Sequence, residues 1–252
     1  MGIVLALDTP QIRAMTGSAV VIGASGGIGD ALVRALVAEG RHDTVHALSR
    51  TGRTPVAGVG AHQVDIIDEA SIARAAAAIA ADGPVDLVFV ASGILHERDI
   101  APEKSFKALD PVALARLFAV NTTGPALVAK HFVPLMPRRG RSIFAALSAR
   151  VGSIEDNRLG GWYGYRASKA ALNQLLRTLA IEVARTKPEA IILGLHPGTV
   201  RTELSRPFRG GEAGAGVFTP DESVDHLLGV MASATPQQSG RVLAWDGSTI
   251  PA

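Results

Sequence analysis

The chain contains no cysteine. That excludes disulfides and thiolate metal sites and leaves the redox compartment unmarked. Its seven histidines form no HExxH or other close ligand spacing, so no metal site is expected. Acidic and basic residues nearly balance, 23 against 25, and are mixed along the chain. Without a basic run there is no electrostatic footprint for a nucleic acid. The start, MGIVLALDTP, is too short and too acidic-ended for a signal peptide, and no apolar run approaches membrane-spanning length. These absences leave a soluble, cytoplasmic protein without nucleic-acid or membrane partners as the expectation. Aromatic residues make up only 4%, and the two tyrosines, Tyr163 and Tyr165, fall within three residues of each other.

What is present is apolar residue, 47% of 252 positions, enough for a sizeable core in one large domain or two small ones. Short β-branched or apolar runs at 18–22, 44–48, 62–64, 85–90, 141–147, 190–195 and 241–245 read as seven strands. Helical patterns lie between them: after the glycines at 23–29 as far as Gly40, then 68–81, 110–133 and 163–185. A last helix opens at Thr219, with Pro220 and Glu222 completing a capping box. The run at 85–90, VDLVFV, is continuous and apolar but for Asp86, and reads as a strand covered on both faces. This alternation predicts a single doubly wound α/β domain over residues 1–252, of Rossmann type, with a mainly parallel seven-stranded sheet and helices on both faces. The irregular stretch 201–218 is long for an ordered domain, and a binding-site lid is the expected use.

The first strand runs into GASGGIG, which opens the first helix. Glycines there let the backbone turn sharply and approach a pyrophosphate, and the helix N-terminus offers free N–H groups and a positive dipole end. The spacing Gly23, Gly27, Gly29 is looser than GxGxxG. Residues 23–27 also spell GxSxG, the nucleophile elbow of α/β-hydrolases, which would make Ser25 a nucleophile with His196 as a base to recruit. Against it, an elbow follows several strands, and Gly29 has no role in one. A P-loop fails because Asp30 stands where lysine should follow the last glycine. At the end of the second strand, NAD sites place a carboxylate on the ribose hydroxyls; this chain has Ser49 and Arg50, then Arg53. A cation there suits a 2′-phosphate, so NADP is preferred over NAD.

Tyr165 and Lys169 are four residues apart and share a helix face, whereas Tyr163 has Ala167 at that spacing. An ammonium beside a phenol lowers its pKa, and the phenol can then exchange a proton with a carbonyl or hydroxyl oxygen. At Asn121 the helical partner of its carbonyl would be residue 125, which is Pro125 and has no N–H, so that carbonyl should be left free.

Taken in order, these segments resemble the short-chain dehydrogenase/reductase family over nearly the whole chain. IGASGGIG (22–29) is similar to its cofactor loop, VASG (90–93) loosely to its strand-end motif, NTTG (121–124) to its asparagine motif, YRASK (165–169) to its YxxxK motif, and PGTVRT (197–202) to its PGxxxT motif. SARVGSI and SGRVLAWDGSTIP look more like the C-factor-like branch. The resemblance implies hydride transfer between a nicotinamide and a carbonyl or secondary alcohol. Tyr165 would be the acid/base, Lys169 would tune it and hold the ribose, and Asn121 would serve a proton relay. It implies cofactor contacts from Gly23, Ser25, Gly27, Ile28, Gly29, Ser49, Arg50, Asp65, Ala91, Ser92, Gly93, Pro197, Gly198, Val200 and Thr202. The family's substrate-orienting serine would fall at Ala149; Ser148 is one residue early and Ser153 lies beyond, and Ser148 is favoured. If neither serine reached the site, a nucleotide sensor with little turnover would be the alternative. A homodimer or homotetramer built on the helices near 110–133 and 163–185 is also implied.

Overall fold

The computed structural model describes residues 17–208 and 217–252. The stretch 1–16, and 209–216 within the expected lid, lie outside the described residues.

Strand β1 (Ser18–Ile22) leads through the glycine turn into helix α1 (Gly27–Glu39), which ends on Gly40 in the left-handed conformation at φ 61°. Strands β2 (Thr44–Ser49) and β3 (Gly60–Gln63) follow, then α2 (Glu69–Ile79), whose Asp68 side chain caps the Ala70 N–H. After β4 (Val85–Val90) come α3 (Pro111–Phe118) and α4 (Gly124–Phe132), then β5 (Ser142–Leu147), α5 (Tyr163–Val183) and β6 (Ala190–His196). The chain ends with two-residue strands β7 (Thr199–Val200) and β8 (Val217–Phe218), helix α6 (Pro220–Ser233) and β9 (Arg241–Ala244). The capping box on Thr219 and Glu222 forms as expected.

Seven strands make one sheet in the order β3-β2-β1-β4-β5-β6-β9, every neighbouring pair parallel. Side-chain alternation divides the core. Val20, Ile22, Val88 and Val90 face α2, α4 and α5 on one side. Ala19, Val21, Leu87 and Phe89 face α1 and α6 on the other. All six residues of β4 are buried, Asp86 included, and burial raises that carboxyl above its usual range.

Four expectations need correction. The third strand lies at 60–63, two residues earlier than its apolar letters suggest, because its edge position is set by pairing with β2. Residues 199–200 and 217–218 pair as a small separate sheet that is too short to leave a periodic signal. The helical run 110–133 is interrupted by a π turn at Ala119–Thr123, where the Gly124 N–H donates to the Ala119 carbonyl five residues back. Pro125 withholds an N–H from the ordinary ladder, and the wider turn absorbs that defect. By length and composition the run Pro111–Leu135 is also long and apolar enough to cross a bilayer, contrary to the sequence expectation. In this fold α4 packs on α2 and β4, and α3 packs on α5.

Candidate active site

Strand order reverses between β1 and β4, and the crevice beyond their carboxyl ends is where a doubly wound sheet receives a ligand. A cleft of about 710 Å³ lies there, joined by cavities of about 190 Å³ toward β2 and β3 and about 280 Å³ toward β6 and β7.

The glycine loop forms the floor. Gly23 sits at φ 86°, and a Cβ there would come within 2.7 Å of Ser92 Oγ. A Cβ on Gly29 would stand 2.2 Å from the Gly23 carbonyl oxygen, closer than any side chain permits. Gly26 caps α1 without a side-chain bond, so the first-turn N–H groups open into the cleft beside Ser25, Gly27 and Ile28. This backbone cradle, which a side chain would fill, fits a pyrophosphate. Ala91, Ser92 and Gly93 line the opposite wall. Gly93 leaves its would-be Cβ 3.3 Å from Asn121 Oδ1 and 3.4 Å from Lys169 Nζ, so those two side chains converge on it.

Ser49, Arg50 and Asp65 line the 190 Å³ cavity. Arg50 is exposed there, the Ser49 hydroxyl pairs with Thr51 Oγ1 at 3.1 Å, and Asp65 accepts the Ile67 N–H. The sequence reading missed two neighbours. Arg116 donates twice to Glu97, at 2.9 Å each, across the same cavity. Glu97 is held below the usual carboxylate range by that bond, and the field of Arg50 adds to the effect. The two residues lie 19 positions apart, and no local pattern joins them.

Tyr165 and Lys169 share the cleft on α5, with Ser148 beside them. Lys169 Nζ donates to the Leu147 carbonyl at 2.8 Å and lies 5.8 Å from the centre of the Tyr165 ring. Both are buried, at 8% and 3% exposed. Burial pushes the phenol up to about 12 and the ammonium down to about 8. The sequence argument expected the ammonium to lower the phenol; loss of water around both groups outweighs that attraction here.

Asn121 is fully buried on the π turn. Its Oδ1 accepts the Ile94 N–H at 2.8 Å, while its Nδ2 donates to the Ile94 carbonyl at 2.8 Å and to Ser168 Oγ at 3.1 Å. The side chain, which the carbonyl argument ignored, thereby ties the end of β4 to α5. The Ser148 hydroxyl donates to Asn173 Oδ1 at 2.6 Å. Ser153 is used elsewhere: its hydroxyl reaches the Ala252 carbonyl at 3.2 Å and accepts the Asp156 N–H. Pro197 and Thr202 line the cleft and the 280 Å³ cavity together, while Gly198, at φ 78°, and Val200 line the smaller space alone.

The hydrolase arrangement is not formed. Among the described residues only Trp162 combines a side chain with positive φ, so Ser25 has no strained elbow backbone. His196 lines the 280 Å³ cavity, which Ser25 does not, and burial holds it down to about 4. Nor do the described residues group three or more side chains able to hold a metal ion.

A family model described as short chain dehydrogenase matches residues 18–213. The 1-hydroxy-2-glutathionyl-2-methyl-3-butene dehydrogenase of Rhodococcus sp. is 30% identical over 90% of this chain and 96% of its own. C-signal of Myxococcus xanthus is 31% identical over 71% of this chain and 99% of its own. Among solved structures, the NADPH-bound carbonyl reductase from chicken fatty liver superposes with a TM-score of 0.82 at 25% identity, over 95% of this chain and 96% of that one. The parallel sheet, the glycine cradle and these matches together make the chain a member of the short-chain dehydrogenase/reductase family.

Proposed function

We propose that the protein is an NADP(H)-dependent carbonyl reductase. When bound, the nicotinamide nucleotide supplies the hydride; the chain supplies binding, orientation and a proton. The glycine cradle and the α1 N-terminus receive the pyrophosphate. Arg50 meets the 2′-phosphate, and Asp65 stands at the adenine end. Gly93, Pro197 and Thr202 line the remainder of the cofactor path. The NADPH seen in the structurally similar reductase supports this cofactor, as does the absence of an acid at the end of β2.

The geometry carries the direction: Tyr165 is buried in the cleft beside Ser148 and Lys169, and burial pushes its phenol further up, to about 12, so it is protonated at neutral pH. A phenol in that state is a proton donor, so Tyr165 gives its proton to the carbonyl oxygen of the substrate as the alcohol forms. Ser148 holds that oxygen once its hydroxyl turns from Asn173 Oδ1 to donate to it. Lys169, on the same helix face, restores the proton through its ammonium, and Asn121 keeps the end of β4 and α5 in register. Ser148 lining the cleft beside Tyr165 supports turnover over a nucleotide sensor. Tyr165→Phe, which keeps the ring and removes the hydroxyl, is expected to lower kcat for NADPH oxidation with a carbonyl panel by about 100-fold or more, with the NADPH dissociation constant unchanged. Undiminished turnover refutes the assignment.

The groove between α4 and α5, about 700 Å³, shares no lining residue with the cleft and is walled by Pro125, Ala129, Leu172, Leu176 and Leu179. With Leu175 and Ile181 exposed on α5, it supports a homodimer. Light scattering of Leu175→Asp against the parent chain tests this: a mass that does not fall refutes it.

A further inference from the structure

The 280 Å³ cavity opens beside Ser148 and Tyr165, on the side away from Arg50. Its walls include Leu95, Val151, Trp162, Val200 and Leu204. Trp162 is the one described non-glycine residue in the left-handed region, at φ 52° and ψ 43°. A bulky side chain holds that conformation only where its surroundings over-determine it, and such outliers concentrate at functional sites.

The surroundings here come from a distant loop. The Trp162 N–H donates to the Glu103 carbonyl at 2.6 Å. The buried Glu103 carboxylate then accepts the Gly164 N–H through both oxygens, each at 3.2 Å, and caps a helix that has no side-chain cap of its own. Gly164 has no space for a side chain, since a Cβ would lie 2.6 Å from Leu117 and 2.9 Å from Glu103 Oε1. Arg166 binds the Gly161 and Val151 carbonyls from the other side. The indole is thereby held edge-on to the Tyr165 ring, with centroids 6.3 Å apart and planes at 70°. Indole and phenol form an aromatic corner at the point where the proton is given.

Among the described residues the cavity has no free charge to offer. Arg150 is paired with Asp156 at 2.5 Å, and burial keeps His196 neutral. About 280 Å³ suits a substituent of one ring. Resting on the carbonyl reductase reading above, we propose that this cavity is the substrate pocket, that it takes uncharged carbonyl compounds bearing a planar aryl or conjugated group, and that Trp162 is the residue that selects them. The planar group docks into the corner by edge and offset contacts, which an aliphatic ring of the same size cannot match.

NADPH-dependent reduction of benzaldehyde and of cyclohexanecarbaldehyde is measured for the parent chain and for Trp162→Gly. Glycine adopts this backbone conformation without strain, and Trp162→Asn serves as a second variant. The ratio of kcat/KM values, aryl over cyclohexyl, is expected to fall about tenfold in both variants, with NADPH binding unchanged. In the parent chain, phenylglyoxylate is expected to be reduced at least tenfold less efficiently than its methyl ester. Independently of turnover, benzamide should quench the indole saturably in Trp245→Phe, where Trp162 is the remaining tryptophan. An unchanged ratio with turnover intact, preference for the carboxylate, or no saturable quenching overturns the pocket assignment alone. NADPH binding without reduction of any carbonyl compound overturns the reductase reading, and this inference with it.

Discussion

Replacing Lys169 with methionine separates the electrostatics of the centre from its packing. Lys169 is 3% exposed, and burial brings its ammonium from the ordinary 10.5 down to about 8. At about 1.4 kcal/mol per tenfold change in proton affinity, the charged form is disfavoured in the fold by about 3 kcal/mol. Methionine has a similar length and no charge. It forfeits the 2.8 Å bond to the Leu147 carbonyl, worth about 1 kcal/mol. The net expectation is a gain of about 2 kcal/mol at pH 7, roughly 4–8 °C in Tm for a chain of this size, together with loss of reductase activity. The pH dependence identifies the cause. The folded-state pKa lies below the unfolded one, so between about pH 8 and 10.5 the folded chain binds fewer protons and the parent gains stability as pH rises. The methionine variant has no such gain. Its advantage should be constant below about pH 8 and shrink toward pH 10.5. Urea unfolding of both chains at pH 7, 8.5 and 10 reads this directly. A variant that unfolds at lower urea than the parent at pH 7, or a gap that does not narrow with pH, refutes the electrostatic account.

Arg50→Ala should weaken NADPH binding about 10- to 100-fold by removing a charge-assisted contact to the 2′-phosphate, while NADH titration is unaffected; equal losses for both nucleotides would place Arg50 elsewhere. Gly29→Ala would force a methyl against the Gly23 carbonyl at 2.2 Å, so a loss of about 3 kcal/mol or more is expected in denaturant unfolding, along with loss of nucleotide binding. On the acid side, burial lowers His42, His46 and His62 and takes His196 to about 4. Their folded pKa values lie below the unfolded 6.5, so the stability they contribute is complete above about pH 6.5 and is lost as pH falls toward 4. The urea midpoint should therefore drop measurably between pH 7 and pH 5, and a flat profile across that window contradicts the assigned burial.

Much of the architecture was legible because its causes are local. Val20, Val88 and Ile192 sit in apolar runs of strand length, Gly40 stops a helix by its own backbone freedom, and Thr219 with Glu222 makes a cap within four residues. The glycine loop and the Tyr165–Lys169 spacing are likewise short-range facts. Other features depend on residues that only the fold brings together. Glu103 reaches Gly164 across 61 positions, and the Glu97–Arg116 pair lies across the nucleotide cavity. Ser148 lines the cleft while the Ser153 hydroxyl is bonded to the Ala252 carbonyl, a difference that counting along the sequence does not show. Burial raises the proton affinity of Tyr165, and spacing, which reports the neighbouring charge, says nothing of the water that burial removes. Sequence determines what lies within a few residues along the chain; desolvation, cavities and long-range hydrogen bonds arise only when the chain closes on itself.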